Sequence, residues 1–421
     1  MACRMTALSR VRRFDRAFFV LFADWLAVGV AIALPWSTSA TGIFIALWLV
    51  AVLATLDRTA LKRELVTAAG GLPVLLWCLG ALGMLWADAS WNARLSGLDG
   101  FVRLLMIPLL LAQFRRSEHS VWVLYGFLIS STVLLLVSYG LVLLPGLTWR
   151  GHIVEGVPVH DDIFQSSEFI ICGFGALGYA LMQSNSSNRR GTTLLGLVGA
   201  LFLANFGFAM SSRAALLVTP VLAALFGWRL LRWKGVLGAC AIAVLLCSAA
   251  WFASPMVRWR MEMSVTEVQE YLAANKGTSI GEHIAFLKES LAIVATSPII
   301  GHGTGSIPEE FRQIAAGKTG VSSEATVNPH NQTFAVAIQL GLIGTLALWA
   351  MWVAHLLLFR GENVAVWLGM VVVVENIVSS TVHSHLFDFN NGWLYVFGVG
   401  VLGGMALRQR TALSAKPAAP A

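Results

Sequence analysis

Long, uninterrupted apolar runs recur along the whole chain and constrain its fold more than any other feature. Many approach the roughly 20 residues that a bilayer-spanning helix needs. Only 12% of the 421 residues are charged, whereas soluble domains carry about 25%. So few charges cannot cover a water-facing surface, which excludes a soluble globular enzyme, and the apolar content excludes a disordered chain. Continuous runs also differ from the short alternating segments of a transmembrane β-barrel. We therefore expect an all-α polytopic membrane protein.

Twelve apolar segments are candidates for membrane-spanning helices. Their predicted bounds are 17–35, 42–56, 71–86, 101–114, 121–146, 166–183, 192–209, 214–228, 235–253, 333–358, 364–382 and 392–407. Several are short for a straight span, which predicts helices that tilt, re-enter or extend into their flanks. The expected organisation is spans 1 to 9 in residues 1–253, a periplasmic loop in 254–332, spans 10 to 12 in 333–408 and a disordered cytoplasmic tail in 409–421.

Basic residues alternate with these spans and predict the orientation of the chain. Most of the 29 lysines and arginines precede the first span or follow an even-numbered one, so they fall on one side. The positive-inside rule makes that side cytoplasmic and places both termini there. The excess over the 22 acidic residues then reflects loop charge and not nucleic-acid binding. The first apolar stretch is long for a signal peptide, so we expect an uncleaved span, with a cleaved signal as the alternative.

The stretch 254–332 is predicted to form short helices lying over the outer face of the membrane. Ser264 and Glu267 have the spacing of a capping box and predict a helix start. Apolar residues recur at helical spacing between 281 and 296, which predicts a helix with these residues on one face. These residues are Ile284, Leu287, Leu291 and Val294.

Two polar stretches at the predicted outer edge are the leading candidates for chemistry, because ionisable groups are costly at a membrane. Arg213 lies between two spans with almost no loop. Its position suits either an arginine that binds an anion through two hydrogen bonds or one that reaches the lipid headgroups. His330, in Asn328-Pro329-His330-Asn331, suits either a general base or a cap on the next helix.

Two further stretches are more ambiguous. The helix carrying His283 and Lys288, followed by the glycine-rich turn 301–305, suits either a solvated helix with a structural turn or an anion site built from backbone N–H groups. The group His383, His385 and Asp388 is similar in composition to His160-Asp161-Asp162. Both groups invite a metal interpretation, but neither has the helical spacing or cysteine pair that would support one. We therefore predict no metal.

The order and sidedness of these features resemble the O-antigen ligase and polymerase superfamily of membrane glycosyltransferases. The similar runs are S-S-R-A-A at 211–215, S-I-G-E-H-I-A-F-L-K-E-S at 279–290, S-P-I-I-G-H-G-T-G-S at 297–306 and N-P-H-N-Q-T-F at 328–334. In architecture the resemblance covers the whole chain, and in sequence it lies mainly in residues 205–345. Each run is weakly specific alone, and their combination is more specific.

The resemblance implies an O-antigen ligase of lipopolysaccharide biosynthesis, acting at the periplasmic face of the bacterial inner membrane. Such an enzyme transfers the O-antigen glycan from undecaprenyl pyrophosphate to the lipid A–core oligosaccharide, with inversion and without a metal or other cofactor. Arg213 falls on an arginine that holds the pyrophosphate, and His330 on the essential histidine. The partners implied are the lipid-linked donor, the lipid A–core acceptor and membrane lipids, with no nucleic acid.

One position departs from the family pattern. The loop helix has His283 where the family usually has a second arginine, so another basic residue would have to supply that charge. The candidates are Arg150, Arg258, Arg260 and Lys288. Asn331 and Asp388 complete the predicted substrate-binding set, since Asp388 resembles an acidic position of the same outer segment.

Other functions remain open at this point. An O-antigen polymerase, or another transferase of the superfamily acting on lipid-linked glycans, would share the donor and use a different acceptor. A solute transporter is the alternative from another class. It would use Asp24, Arg103 and Glu375, the isolated ionisable residues within the predicted spans.

Overall fold

The structure, a computed structural model, describes residues 2–144, 156–184, 187–206, 212–253 and 255–414. These residues are mostly helical, and no β-strand occurs among them. Short 3-10 helices lie at Arg103–Leu105 and Gly320–Ser323. The α-helices are α1 Ala2–Ala33, α2 Thr38–Ala54, α3 Arg58–Leu65, α4 Ala68–Gly83, α5 Trp91–Val102, α6 Met106–Phe114, α7 Ser120–Leu143, α8 Asp162–Met182, α9 Arg189–Ala204, α10 Arg213–Ala253, α11 Pro255–Ala274, α12 Ser279–Thr296, α13 Ile307–Ala315, α14 Gln332–Leu358, α15 Val364–Ser379 and α16 Phe389–Ser414.

The predicted spans fall on these helices, and most of their bounds differ by a few residues. Helix α1 begins well before the predicted span 17–35, and the predicted span 101–114 covers the end of α5, a 3-10 helix and α6. Within the described ranges, four continuous helical stretches are long and apolar enough to cross a membrane, or five if the bent pair α2 and α3 counts as one span. The four are Arg16–Ala33, Trp91–Phe114, Ser120–Leu143 and Gln332–Leu358. The chain is thus a helical protein with membrane-spanning segments, and the number twelve stays a prediction.

Helix α10 reverses direction at Arg232, whose backbone is left-handed with φ 58°. After the reversal Gly227 lies directly against Gly235. A Cβ atom at Gly227 would come 2.5 Å from the carbonyl oxygen of Gly235, so glycine is required there. The reversal separates the predicted spans 214–228 and 235–253.

Helix α14 is broken at Gly341, where φ is 60°. The loop that follows α12 fills the break. The N–H groups of His302 and Gly303 donate to the carbonyls of Ile338 and Gln339, both at 2.8 Å. The loop thus pairs carbonyl groups that an unbroken helix would pair internally. The prediction of one uninterrupted helix over 333–358 missed this break.

The start of helix α11 differs from the prediction. It begins at Pro255, and Ser264 and Glu267 lie in its interior, so the capping-box interpretation is wrong. Proline is well suited to the first helical position, where no N–H donor is needed. The Glu267 carboxylate instead accepts a hydrogen bond from the N–H of Ile280, at 3.2 Å, next to the start of α12.

Helix α12 matches the predicted range. Thr278 caps its start by accepting the N–H of Gly281 at 3.1 Å. On the predicted apolar face, Leu287 and Leu291 are 44% and 53% exposed. The buried side chains are Ala285, Phe286, Glu289, Ser290 and Ile293. A leucine stripe facing outward suits a helix that lies on a membrane surface.

Basic loops meet at one end of the bundle. The buried Glu64 carboxylate pairs with Arg63 at 2.8 Å and with Arg115 at 3.1 Å. Arg116 pairs with Asp57 at 2.7 Å. Loops that follow different predicted spans are therefore joined by ion pairs, and this end is the one predicted to be cytoplasmic.

Candidate active site

Four histidines from three separate parts of the chain lie together at the other end of the bundle. The ring centroids of His330 and His283 are 5.1 Å apart, and those of His330 and His383 are 5.6 Å apart. His283 and His383 are 5.9 Å apart, and the ring of His385 stacks on His383 at 5.4 Å. We call these four residues the histidine cluster. His330 precedes the start of α14. The other end of that helix lies beside the basic loops, because Arg410 donates a hydrogen bond to the carbonyl of Leu358.

The backbone of His330 is held in an unusual conformation. Its φ is 52°, in the left-handed region that non-glycine residues seldom adopt. The side-chain oxygen of Asn328 accepts the N–H of His330 at 2.9 Å and the hydroxyl of Ser384 at 2.7 Å. The ring of His330 is nearly parallel to that of Phe286, with centroids 5.9 Å apart. These contacts fix where the imidazole lies.

The segment between α15 and α16 supports the start of α14. Asn331 donates its side-chain amide to the carbonyl of Thr381 at 2.9 Å. Gln332 donates its N–H to the carbonyl of Ser380, and its side-chain oxygen accepts the N–H of Leu386, both at 2.9 Å. The loop that carries His330 and the segment that carries His383 are thus one hydrogen-bonded unit.

Burial determines the charge of the histidine cluster. It lowers the pKa of His330 below its usual value of 6.5. It also lowers the pKa of His383 to about 4, with a smaller contribution from the neighbouring His330 and His283, and that of His385 to about 3. These three imidazoles are therefore neutral at pH 7. Among the described residues, none hydrogen-bonds with Nδ1 of His330. A neutral imidazole can accept a proton, so the site offers a base.

Asp388 lies at the rim of this end. Its carboxylate accepts the N–H of Asn391 at 2.9 Å and thereby caps α16. Its carbonyl accepts a hydrogen bond from Arg103, which is 5% exposed. Asp388 is close enough to Asp161 for their charges to interact, and Asp162 is similarly close to His383. The start of α8 therefore also borders the site.

His160 joins the same rim. Its Nδ1 hydrogen-bonds with the side-chain amide of Asn390 at 3.1 Å. The sequence interpretation had treated 160–162 and 383–388 as separate groups, and the structure brings them together. Within the described part of the chain, no group of three or more His, Cys, Asp or Glu side chains could hold a metal ion.

Several basic residues of the predicted set are not placed in the histidine cluster. The amino group of Lys288 lies 5.1 Å from the ring centroid of Tyr271, with the side chain exposed. Arg258 donates to the carbonyl of Phe252 at 3.2 Å. Arg213 is the first residue of α10, but its side chain, that of Arg260 and the whole of Arg150 lie outside the described residues.

The glycine-rich turn 301–305 is a structural element. Besides the two N–H groups that fill the break in α14, the N–H of Thr304 donates to the carbonyl of Gly83 at 3.0 Å. The N–H of Gly305 donates to the side-chain oxygen of Gln339 at 2.8 Å. Because these donors are used within the protein, the turn does not offer them to an anion.

Asp24, one of the ionisable residues proposed for a transport path, has several partners within the protein. Its carboxylate accepts hydrogen bonds from Gln113 and Ser117, both at 2.7 Å, and lies 3.1 Å from Nδ1 of His119. Glu375 is buried on α15, and Arg103 is hydrogen-bonded to the start of α16. The partners of Asp24 and Arg103 favour structural roles over a transport path.

The sequence interpretation missed His383, Ser384 and Asn328 as parts of one site. The signal in the sequence was the run from 380 to 391, which contains many polar residues and directly follows an apolar segment. The composition of that run suggests a metal site, but its closeness to His330 depends on the fold. The residues missed lie in loops on either side of α14 and α15.

Comparison with known proteins gives one finding. The sequence model of the family described as O-antigen ligase matches residues 198–349. The match begins in α9, includes Arg213, His283 and His330, and ends in α14. No curated protein is similar enough in sequence to match. In residues 198–349, the chain is thus similar to the O-antigen ligase family.

Proposed function

We propose that the chain is an O-antigen ligase that transfers the O-antigen glycan from undecaprenyl pyrophosphate to the lipid A–core oligosaccharide. The active site lies at the periplasmic face of the inner membrane. The observation that carries this proposal is the position of His330, which lies within the matched family segment and, in the fold, beside the neutral imidazole of His383. That arrangement suits a base at a membrane edge.

The donor supplies the energy of the reaction. No ATP is present outside the cytoplasmic membrane, and a lipid-linked pyrophosphate is a good leaving group once its charge is held. Arg213 is the proposed cation, because a guanidinium group donates to two phosphate oxygens at once. It stabilises the charge that develops as the bond from the anomeric carbon to the pyrophosphate oxygen breaks.

His330 is the proposed general base. The acceptor sugar hydroxyl is a weak nucleophile until its proton is taken. In this mechanism the hydroxyl oxygen forms the new bond to the anomeric carbon, its proton passes to the imidazole of His330, and the bonding electrons leave with the pyrophosphate. Displacement in one step inverts the anomeric carbon and needs no metal.

The remaining predicted residues hold the two substrates. His283 lies beside His330 and faces the acceptor hydroxyl or the pyrophosphate. The loop basic residues Arg150, Arg258, Arg260 and Lys288 add positive charge around the donor. Asn331 and Asp388 act mainly by positioning, since their side chains hold the starts of α14 and α16.

The test is a lipopolysaccharide gel from the gene's own host after deletion of the gene. Complementation with wild type should restore the ladder of long chains on the core, and His330→Ala should abolish it. His119→Ala, a histidine at the opposite end of the bundle, should leave the ladder unchanged. Immunoblots of the membrane fraction would confirm equal protein levels.

The other outcomes are equally informative. Long chains on the core in the deleted host would contradict a ligase. Cores carrying a single repeat unit in that host would indicate a polymerase instead. A normal ladder with His330→Ala would remove this residue from the role of base.

A further inference from the structure

A groove with a volume of about 1370 Å³ runs along the bundle, and on α16 it extends from Leu394 to Leu413. It is bordered by α1, α7, α8, α9, α15 and α16, and on α8 it extends from Ile171 towards the end of the helix at Met182. The lining is mainly apolar. Representative residues are Val30, Phe127, Ile171, Leu194 and Phe397. Such a groove suits hydrocarbon chains.

A second cavity of about 750 Å³ adjoins the groove at the end predicted to be cytoplasmic. Met182, Glu362 and Asn363 line both cavities, so the two lie side by side. The lining of the second cavity is aromatic and basic, in contrast to the apolar groove. It includes Trp228, Arg229, Arg232 and Trp233.

The charge of the second cavity is positive. Arg229 and Arg232 face it together with one carboxylate, that of Glu362. Neither arginine forms an ion pair with any residue in the described part of the chain. Arg229 donates to the carbonyl of Gly361, which orients it, and Arg232 is exposed at the reversal of α10. The cavity therefore has two arginines that form no ion pair with a carboxylate of the described residues.

Two tryptophans mark this cavity as a membrane-edge feature. Trp228 and Trp233 are 64% and 59% exposed. Exposed tryptophans are typical of the level of the lipid headgroups, and basic pockets between helices on the cytoplasmic side suit anionic headgroups. From these observations we propose that the chain binds an anionic phospholipid of the bilayer, with its headgroup on Arg229 and Arg232 and its acyl chains in the groove.

This lipid site is distinct from the proposed donor site. No residue of the histidine cluster lines the groove or the cavity, and Arg229 lies at the other end of the bundle, where it donates to the carbonyl of Gly361. The lipid would thus be bound from the leaflet opposite the one in which the glycan transfer is proposed. Its binding can be measured without any transferase assay.

The experiment compares phosphatidylglycerol with phosphatidylcholine of identical acyl chains. Delipidated full-length protein in detergent is titrated with each lipid, and bound lipid is counted by native mass spectrometry. We expect about tenfold tighter binding of phosphatidylglycerol, a preference that Arg229→Gln with Arg232→Gln removes. Arg232→Gln alone should reduce it, which covers the case in which Arg229 is needed for folding. Excess inorganic phosphate should not displace the lipid, since it lacks the chains.

Two matched variants complete the design. Arg58→Gln with Lys62→Gln removes two exposed charges from the same end but from neither cavity, and should keep the preference. Leu194→Trp narrows the groove at an exposed position and should weaken the binding of both lipids. Equal binding of the two lipids by the wild type, a preference that survives the arginine substitutions, displacement by phosphate alone, or unchanged binding in Leu194→Trp would overturn the proposal.

Discussion

At the scale of single residues, the backbone of His330 is the most constrained part of the candidate site. A left-handed conformation costs a non-glycine residue roughly 1–2 kcal/mol, and it persists where neighbours impose it. Here Asn328 imposes it, and Ser384 holds Asn328 in turn. Ser384 is therefore a positioning residue, which acts on the imidazole through one intermediate side chain.

Replacing Ser384 by alanine should reduce glycan transfer about tenfold, because it removes one hydrogen bond from the chain that orients His330. Thr381→Val is the matched control, since the Thr381 hydroxyl bonds only within its own turn, to the carbonyl of Val378. The rates would be measured with purified enzyme in vesicles over a range of donor concentrations up to saturation. A loss confined to donor affinity, with an unchanged maximal rate, would contradict the positioning role.

The pH dependence of transfer follows from the burial of His330. Because burial lowers its pKa below 6.5, the imidazole is a free base at pH 7 and above. The rate should be constant between pH 8 and pH 7 and should fall as the pH drops through the lowered pKa. Initial rates in vesicles across this range, with donor binding measured in parallel, would check it. A rate that increases on acidification would exclude His330 as the base.

At the scale of elements, the turn 301–305 joins three helices. Its N–H groups fill the break in α14, and Thr304 donates its hydroxyl to the carbonyl of Gly80 in α4 at 2.6 Å. A Cβ atom at Gly303 would come 2.5 Å from backbone atoms of Ala87, and one at Gly305 would come 2.4 Å from the carbonyl of Ala93. The glycines therefore permit backbone contacts, and the turn fixes the outer segment on the bundle.

Substituting Gly303 by alanine should destabilise the protein by several kcal/mol, since it adds a steric clash to the cost of a positive φ. Gly317→Ala separates the two effects. Gly317 also has a positive φ, at 77°, but nothing lies within 4 Å of its Cβ position, so about 1 kcal/mol is expected there. Thermal unfolding of both variants in detergent would measure the difference. Equal melting temperatures would show that the close contact is unimportant.

The apolar pattern predicted most of the apolar helices and the separation near Arg232, but not the helix α3 or the break in α14. The predicted range 281–296 agrees with α12, and the end of that helix before Pro298 was also predicted. The break at Gly341 depends on a loop from elsewhere in the chain, which no local pattern records. The side of α12 that is buried could not be predicted, since the packing partners decide which side of a mixed helix is covered. The histidine cluster was missed for the same reason, because its members are distant in sequence.

At the scale of the whole molecule, the two ends of the bundle differ in chemistry. One end carries the basic loops and the ion pairs of Glu64, and the other carries the histidine cluster. The bundle between them contains helices suited to a membrane. This difference between the two ends fits an enzyme whose basic loops lie on one side of the membrane and whose candidate site lies on the other.

The orientation can be measured with single cysteines in a background free of the five native ones. Cysteine at the exposed Thr319, beyond α13, should react with a membrane-impermeant maleimide once the outer membrane is permeabilised. Cysteine at the exposed Thr59, in α3, should react only after the inner membrane is opened. The reverse pattern would place the histidine cluster in the cytoplasm and would exclude a periplasmic reaction.

The break in α14 also has a consequence for biogenesis. The turn that fills it bonds to α4, whose carbonyl at Gly80 is 224 residues away along the chain from Thr304. Helix α4 leaves the ribosome long before the turn is made, so this contact forms only after the residues up to the turn have been synthesised. The carbonyls of Ile338 and Gln339 in α14 lie still later in the chain, so their bonds to the turn also form late. Closure of the turn is thus a late step in the assembly of the bundle.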